Sequence, residues 1–203
     1  IMERGHAEAL VPLIEEAMLA VCFTFKDIDV IAATVGPGSF TGIRVGLATA
    51  KGISASAGIA FIGVTSFEAV AAALSTNEWN NGPVLIALET KRTDYYIQLF
   101  DNIYSPISEP TVVTRDGILS YVERLKINSD PLLVVGDGAE RAAIEIKNGL
   151  KQIKISLGSV LVGPDATDVA VTAFEKSLSG GKITSIDPLY LRPPHVNPPV
   201  RTD

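Results

Sequence analysis

The stretch from Gly36 to Gly46 reads G-P-G-S-F-T-G-I-R-V-G, and its residue types suit anion binding. Glycine lets backbone amides approach a ligand with no Cβ in the way, and a helix N-terminus presents unpaired N–H groups and partial positive charge. Gly36 and Gly38 would shape the turn, Ser39 and Thr41 would offer hydroxyls, and Arg44 would add a cation one turn into the following helix. The spacing matches neither the G-x-G-x-x-G of dinucleotide folds nor the G-x-x-x-x-G-K-[ST] of P-loop enzymes, because Ile43 follows Gly42. Two readings of the loop stand at this point, a structural turn and a phosphate cradle.

Other reactive groups are sparse. Cys22, between Val21 and Phe23 near the end of an apolar helical run, reads as a small buried hydrophobe rather than a nucleophile. The two histidines, His6 and His195, stand near opposite ends of the chain, which disfavours a catalytic triad. Within R-G-H-A-E, His6 reads as a surface residue at a helix start. H-E-x-x-H, H-x-x-x-H and C-x-x-C are all missing, so neither a metal site nor a catalytic residue is expected. A metal-nucleotide site would need a carboxylate from the second half of the chain. Glu89, at a strand end, and Asp137, between two glycines, are the candidates, and both also suit plain turns.

A different feature lies behind the loop. Gly42, Gly46, Ala50, Ser54 and Gly58 recur every fourth residue, so one helix face is nearly bare backbone. The pattern over residues 3–21 predicts an amphipathic helix whose apolar face carries Leu10, Ile14, Ala17, Met18 and Val21, with Pro12 inside it. The bare face either packs tightly on the chain's own sheet or, with the first helix, docks a second polypeptide. In the second case the contact residues are Leu10, Ile14, Ala17 and Met18 with Gly42, Gly46, Ala50 and Ser54.

Positioning these groups requires an α/β scaffold. Strand-like runs at Ile28–Val35 and Ile59–Val64, each followed by a helix, predict a parallel, helix-covered sheet, with Ser66 capping the second helix. Ser75–Pro83 is polar and turn-rich and marks a boundary. Beyond it, Val84–Leu88 and Asp94–Phe100 predict neighbouring strands, Thr111–Thr114 a short strand, Asp116–Leu125 a helix capped by Thr114, and Leu132–Val135 a buried strand. Asp165–Leu178 predicts a helix with Val169, Ala170, Ala173 and Phe174 inward, followed by a proline-rich extended tail.

The 203 residues are 47% hydrophobic and 20% charged, enough for a real core. A formal net charge of -6 argues against a protein that grips nucleic acid by itself. The single cysteine precludes an internal disulfide and suits a reducing cytoplasm. There is no apolar run of about 18 residues to span a membrane, and no signal peptide is visible.

The block G-P-G-S-F-T-G-I-R-V-G-L-A-T-A-K-G at Gly36–Gly52, followed by I-G-V-T-S-F-E-A-V-A at Ile62–Ala71, resembles the bacterial TsaB family, also called YeaZ. R-G-H-A-E at Arg4–Glu8, the strand pair around Leu85–Phe100 and P-L-Y-L-R at Pro188–Arg192 extend the resemblance over nearly the whole chain. It implies the two-lobed fold of actin, Hsp70 and sugar kinases, with a first lobe at 1–75, a second at 82–186 and an extended tail at 187–203. The family opens with a strand bearing I-D-T and two further strands. This sequence does not contain them, so the first lobe is expected to be incomplete. By the same resemblance the chain is a non-catalytic, cytoplasmic subunit in the synthesis of N6-threonylcarbamoyladenosine in tRNA. Its implied partners are the catalytic subunit TsaD and the ATPase TsaE, with a homodimer when alone and tRNA reached only through the complex. No cofactor is expected on this chain alone, and ATP or ADP only in the assembly. The peptidase M22 label attached to such chains is then inherited from the related subunit. The rival reading is an ATP-dependent kinase or ATPase that uses the glycine loop.

Overall fold

The computed structural model describes residues 6–79, 82–101, 105–125, 131–178 and 186–192. Helix α1, His6–Ala20, contains Pro12 and packs on α2, Phe40–Ala57. It ends where Cys22 takes a left-handed conformation (φ 56), with Phe23 N–H donating to Met18 O at 3.0 Å and Cys22 N–H to Leu19 O at 3.1 Å. That pair of bonds satisfies carbonyls a helix end otherwise leaves open. Cys22 is exposed, not buried as the sequence suggested, because it occupies this cap beyond the helix rather than a position on its packed face.

The first sheet holds β1, Val30–Gly36, and β2, Ala60–Thr65, in parallel, with Val30 opposite Ala60 and Thr34 opposite Val64. The crossover between them is α2, as parallel pairing requires. On one face Ile43 and Leu47 of α2 pack with Val35. On the other, Ile62 and Val64 meet Ala69 of α3, Ser66–Ala72, and Val169 and Ala173 of α7, Ala166–Leu178. Thr65, not Ser66, caps α3: its Oγ accepts from Glu68 N–H at 3.1 Å, while the Glu68 carboxylate takes Thr65 N–H at 2.7 Å.

Among the described residues β1 pairs only with β2. Most of β1 is consequently half-buried, although its sequence reads as a fully buried strand. A groove of about 690 Å³ runs along it, lined in part by Val30, Ala32, Ala170 and Phe174. Ala170 and Phe174 were expected to face inward. Both are exposed, Phe174 at 62%, because they face this groove and no element among the described residues covers it.

The second sheet has the order β5-β4-β3-β6-β7. Its strands are β3 Val84–Glu89, β4 Tyr95–Phe100, β5 Thr111–Val113, β6 Leu132–Val135 and β7 Ile155–Leu157. β3 and β4 form an antiparallel hairpin from Val84 opposite Phe100 to Glu89 opposite Tyr95, and β6 runs parallel to β3. One face is covered by α5, Gly117–Arg124, and α6, Ala139–Gly149. The other face packs Val84, Ile86 and Leu88 against Phe67, Val70 and Leu74. Helix α3 therefore serves both sheets. Thr114 accepts from Gly117 N–H at 3.0 Å, the cap read from the sequence.

Two α-helices and one strand among the described residues escaped the sequence reading, besides a 3-10 turn at Phe25–Asp27. The buried stripe of α6 is mostly alanine (Ala139, Ala142, Ala143, with Ile146), a weak hydrophobic signal. β7 is three residues long. The short α4, Thr76–Trp79, falls inside the turn-rich stretch but follows an S-x-x-E sequence in which Ser75 N–H and Oγ both donate to Glu78 Oε2, at 3.2 and 2.8 Å, and Glu78 N–H donates to the Ser75 carbonyl at 3.0 Å.

Candidate functional site

The glycine loop leaves β1 at Gly36, whose φ is +113. A Cβ there would lie 2.9 Å from the Leu189 carbonyl oxygen and 3.1 Å from Ile43 Cδ1, so the position admits only glycine without a shift. The Gly36–Pro37 peptide is cis, and the Pro37 carbonyl accepts a 2.8 Å bond from the buried Ser66 hydroxyl. Ser39 caps α2, its Oγ accepting from Gly42 N–H at 3.3 Å and its carbonyl from Ile43 N–H at 2.9 Å. Gly38 and Thr41 are exposed. Of the five residues assigned to an anion loop, Gly36, Gly38, Ser39 and Thr41 thus surround the helix start. Arg44 is engaged elsewhere: its Nε donates to the Tyr190 hydroxyl at 2.7 Å, and its guanidinium lies 3.8 Å above the Phe40 ring.

This loop forms one wall of a cleft of about 370 Å³. The β3–β4 turn, Glu89 to Arg92, forms the second wall and Leu189–Arg192 the third. Lys91 sits in the left-handed region (φ 59) at the tip of the turn. Arg192 pairs with Asp94, and burial, then the neighbouring Arg92 guanidinium, draw Arg192 below the ordinary arginine value. Three cations, Lys91, Arg92 and Arg192, line the cleft with one carboxylate, Glu89. Glu89 is held bidentately by Arg141, at 3.0 Å from Nε and 2.8 Å from the second nitrogen. Burial is the largest influence on Arg141 and opposes its charge, but the Glu89 bond together with the electrostatic pull of Tyr95, Glu89 and Glu145 outweighs it and raises the pKa above the ordinary value. The guanidinium of Arg141 also lies 3.9 Å over Tyr95. Burial, followed by Glu145, pushes the Tyr95 phenol well above its usual value, so it stays neutral. Asp137 Oδ1 accepts from Glu89 N–H at 2.9 Å. The two candidate carboxylates are therefore tied into one structural brace behind the turn. Among the described residues no group of three His, Cys, Asp or Glu side chains is placed to hold a metal ion. The lining of the cleft thus carries more cationic than anionic side chains.

A second surface lies on α1 and α2. Leu10, Ile14 and Met18 are half-buried and Ala17 is exposed. Val11, Leu13, Leu19, Val21, Phe23 and Phe25 are large apolar side chains left open, Leu19 at 76%. On α2 the stripe of small residues divides. Gly42 is exposed and Gly46 half-buried, and a Cβ on Gly46 would meet no atom within 4 Å. Ala50 is buried, and the Ser54 hydroxyl donates to Ile59 O at 2.6 Å, fastening the end of α2 to the start of β2. The free bare surface is centred on Gly42 and Gly46. Sequence reasoning did not single out Phe40, Lys91, Asp94 or Tyr190. The P-L-Y-L-R block was the available signal, used for the family resemblance but with no site role given to its residues. His6 opens α1. His195 lies outside the described residues.

The family model for TsaD, the tRNA N6-adenosine threonylcarbamoyltransferase, matches residues 1–146. The chain belongs to this family. The threonylcarbamoyltransferase of Erythrobacter litoralis is 44% identical over 68 residues, 34% of this chain and 20% of that protein. The chain spans about a fifth to a quarter of the length of the curated threonylcarbamoyltransferases it matches. An uncharacterized protein of Mycobacterium bovis is 24% identical over 195 residues, covering 96% of this chain and 79% of its own length. Among solved structures, a Pseudomonas aeruginosa protein described as similar to the peptidase YeaZ superposes with a TM-score of 0.70. That match covers 95% of this chain and 87% of the other at 19% identity. The family member described here thus has the YeaZ fold, of the two-lobed actin-like class expected from the sequence. None of its described helices is long and apolar enough to cross a membrane.

Proposed function

We propose that this chain is a TsaB-type, non-catalytic subunit of the machinery that makes N6-threonylcarbamoyladenosine in tRNA. It docks on the catalytic subunit TsaD through α1 and α2. One observation carries the reading: open apolar side chains on α1 border an α2 segment where nothing stands within 4 Å of a Cβ at Gly46. A surface of this kind lets a second backbone approach closely and removes apolar area from water when it is covered. The contact residues on this proposal are Leu10, Ile14, Ala17, Met18, Gly42 and Gly46, with Ala50 and Ser54 supporting α2 from beneath. The same face pairs two copies when the catalytic subunit is absent. Docking shifts TsaD toward its active arrangement by binding that state preferentially. The ATPase TsaE completes the cycle, ATP or ADP is held only by the assembly, and tRNA is reached through the complex, in keeping with a net charge of -6. Such an assembly works in the cytoplasm.

The test is a reconstituted tRNA modification assay with and without this subunit, alongside titration calorimetry of the chain against TsaD. Heat of binding and a dependence of product on the subunit are expected. Product formed equally well in its absence, or no binding to TsaD, would reject the proposal.

The three cations around the cleft favour a second reading, an ATP-using enzyme that places phosphates against Ser39 and Thr41. It requires binding of ATP by the isolated chain at millimolar nucleotide and magnesium, and loss of that binding in Ser39→Ala.

A further inference from the structure

Four consecutive residues near the end of the described chain pass from one sheet to the other. Leu189 N–H donates to Val35 O at 2.7 Å, and the Leu189 side chain packs on the cluster of Val35, Ile43 and Leu47. Its carbonyl lies against Gly36, where a Cβ would stand 2.9 Å away. Tyr190 accepts the bond from Arg44 on α2, and its ring centroid is 5.2 Å from that of Phe40. Leu191 then packs on the other cluster, with Phe67, Val70, Leu88 and Phe100. Arg192 closes the run by pairing with Asp94 at the foot of the β3–β4 turn, its guanidinium 5.9 Å from the Tyr96 ring centroid. Leu189 and Tyr190 thus fasten to the first sheet and its helix, and Leu191 and Arg192 to the second. The same four residues make one wall of the cleft.

We propose that Leu189–Arg192 is an interlobe strap that sets the opening of the cleft. Its fastenings are of different kinds. At the first lobe they are a backbone hydrogen bond, a half-buried leucine, and the contacts of Tyr190 with Arg44 and Phe40. At the second lobe the polar fastening is one ion pair, with Arg192 21% and Asp94 16% exposed at the side chain. Such a pair is better shielded from water than a surface bridge, and removing one partner leaves the other charge partly buried. The second end, held by Leu191 and this pair, has the fewer fastenings and is accordingly the one that opens. When Arg192 leaves Asp94, only the Leu191 contact still ties the strap to the second lobe, and the cleft widens. The strap also connects α2, through Arg44, to the β3–β4 turn.

The Leu189 amide reports on the device, because its bond to Val35 O lies on the lobe away from the ion pair. Amide exchange followed by NMR on the full chain, with Asp94→Asn, tests the linkage. The strap predicts about tenfold faster exchange at Leu189 although Asp94 does not touch it. Spin labels on native Cys22 and on Lys151→Cys, both exposed, give an interlobe distance. That distance is expected to lengthen or broaden in Asp94→Asn. Arg192→Met cuts the same fastening from the strap side without altering the turn, and must reproduce both changes. Unchanged Leu189 exchange in either variant overturns the proposal. So does an unchanged distance distribution, or an effect of Asp94→Asn that Arg192→Met does not share. Should Asp94→Asn fail to fold, Arg192→Met alone decides, by the same two readings.

Discussion

Arg44 and Tyr190 are 146 positions apart in the sequence, yet Arg44 Nε lies 2.7 Å from the Tyr190 hydroxyl. The Phe40 ring sits beneath the same guanidinium at 3.8 Å. An arginine read from the sequence as a cation for a ligand is thereby stacked, oriented and bonded by the chain itself. Cation–π stacking and a charged hydrogen bond favour the same pose, so the side chain is held in place before any partner arrives. Phe40 is the first residue of α2 and Tyr190 belongs to the tail, so this contact fixes where the tail crosses the helix start.

Tyr190→Phe keeps the ring against Phe40 and removes only the hydroxyl that accepts from Arg44. A hydrogen bond to a charged but partly exposed group is worth about 1 kcal/mol, and the variant should lose about that much. Tyr190→Ala also discards the aromatic contact and should lose more. Urea denaturation of the three proteins gives the order. Equal midpoints for wild type and Tyr190→Phe would mean that the bond contributes nothing in solution.

Two glycine substitutions should act in opposite directions. Gly36→Ala places a Cβ at a φ of +113 and 2.9 Å from a backbone oxygen that is itself held by the Leu189 bond. A loss of about 1–3 kcal/mol is expected. Gly52→Ala, on the exposed side of α2 with nothing within 4 Å of the new atom, should gain up to about 1 kcal/mol from helix propensity. Thermal melts of both variants decide. A stable Gly36→Ala would show that the loop can adopt another backbone path.

Much of the scaffold was legible because it follows period and caps. Apolar, β-branched and aromatic runs marked β1 through β6, and Thr114 was identified as the cap of α5 from its position alone. The failures were of a different kind. Cys22 and Phe174 are apolar and sit in helical runs, so their pattern says "inside". Their exposure depends on a left-handed cap in one case and an uncovered β1 edge in the other, and neither is written into local residue types. For the site, the glycine loop ahead of a helix start could be read directly, whereas Ser39, expected as a hydroxyl for an anion, caps α2 instead. The cleft could not, since its other walls come from residues 89–92 and 189–192, and long-range pairings such as Arg192 with Asp94 have no local signature.

Glu78 gives a pH-dependent prediction. Burial alone would raise its pKa, but donors from Ser159 N–H at 2.7 Å, from the Ser159 hydroxyl and from Ser75 outweigh it, and the carboxyl is held below its ordinary value of 4.5. A folded-state value below the unfolded one contributes stability above the unfolded pKa. That contribution fades as pH falls through the folded value. Glu78→Gln should therefore be less stable than wild type at pH 7, with the gap closing as pH drops below 4.5. Denaturation curves at pH 7, 5 and 3 measure it. A gap that stays constant across this range would assign Glu78 a packing role rather than an ionic one.

Gly46→Leu separates folding from docking. Within the chain no atom stands within 4 Å of a Cβ at this position, so the first added carbon meets open space and the half-buried site can turn the rest outward. Leucine is also the better helix former, by about 0.5–1 kcal/mol, so the variant alone should melt no lower than wild type. Against a second polypeptide the effect reverses. A helix seated on the bare backbone of Gly42 and Gly46 would now meet a branched side chain, and steric overlap in a packed contact costs about 1–3 kcal/mol, or roughly five- to 150-fold in affinity. Sedimentation velocity over a range of concentrations reads self-association, and calorimetry reads binding to TsaD. Weakened association with an unchanged or raised melting temperature is expected. Unaltered association would move the docking face away from α2 to some other surface. A lowered melting temperature would instead mean that Gly46 packs within the chain's own core.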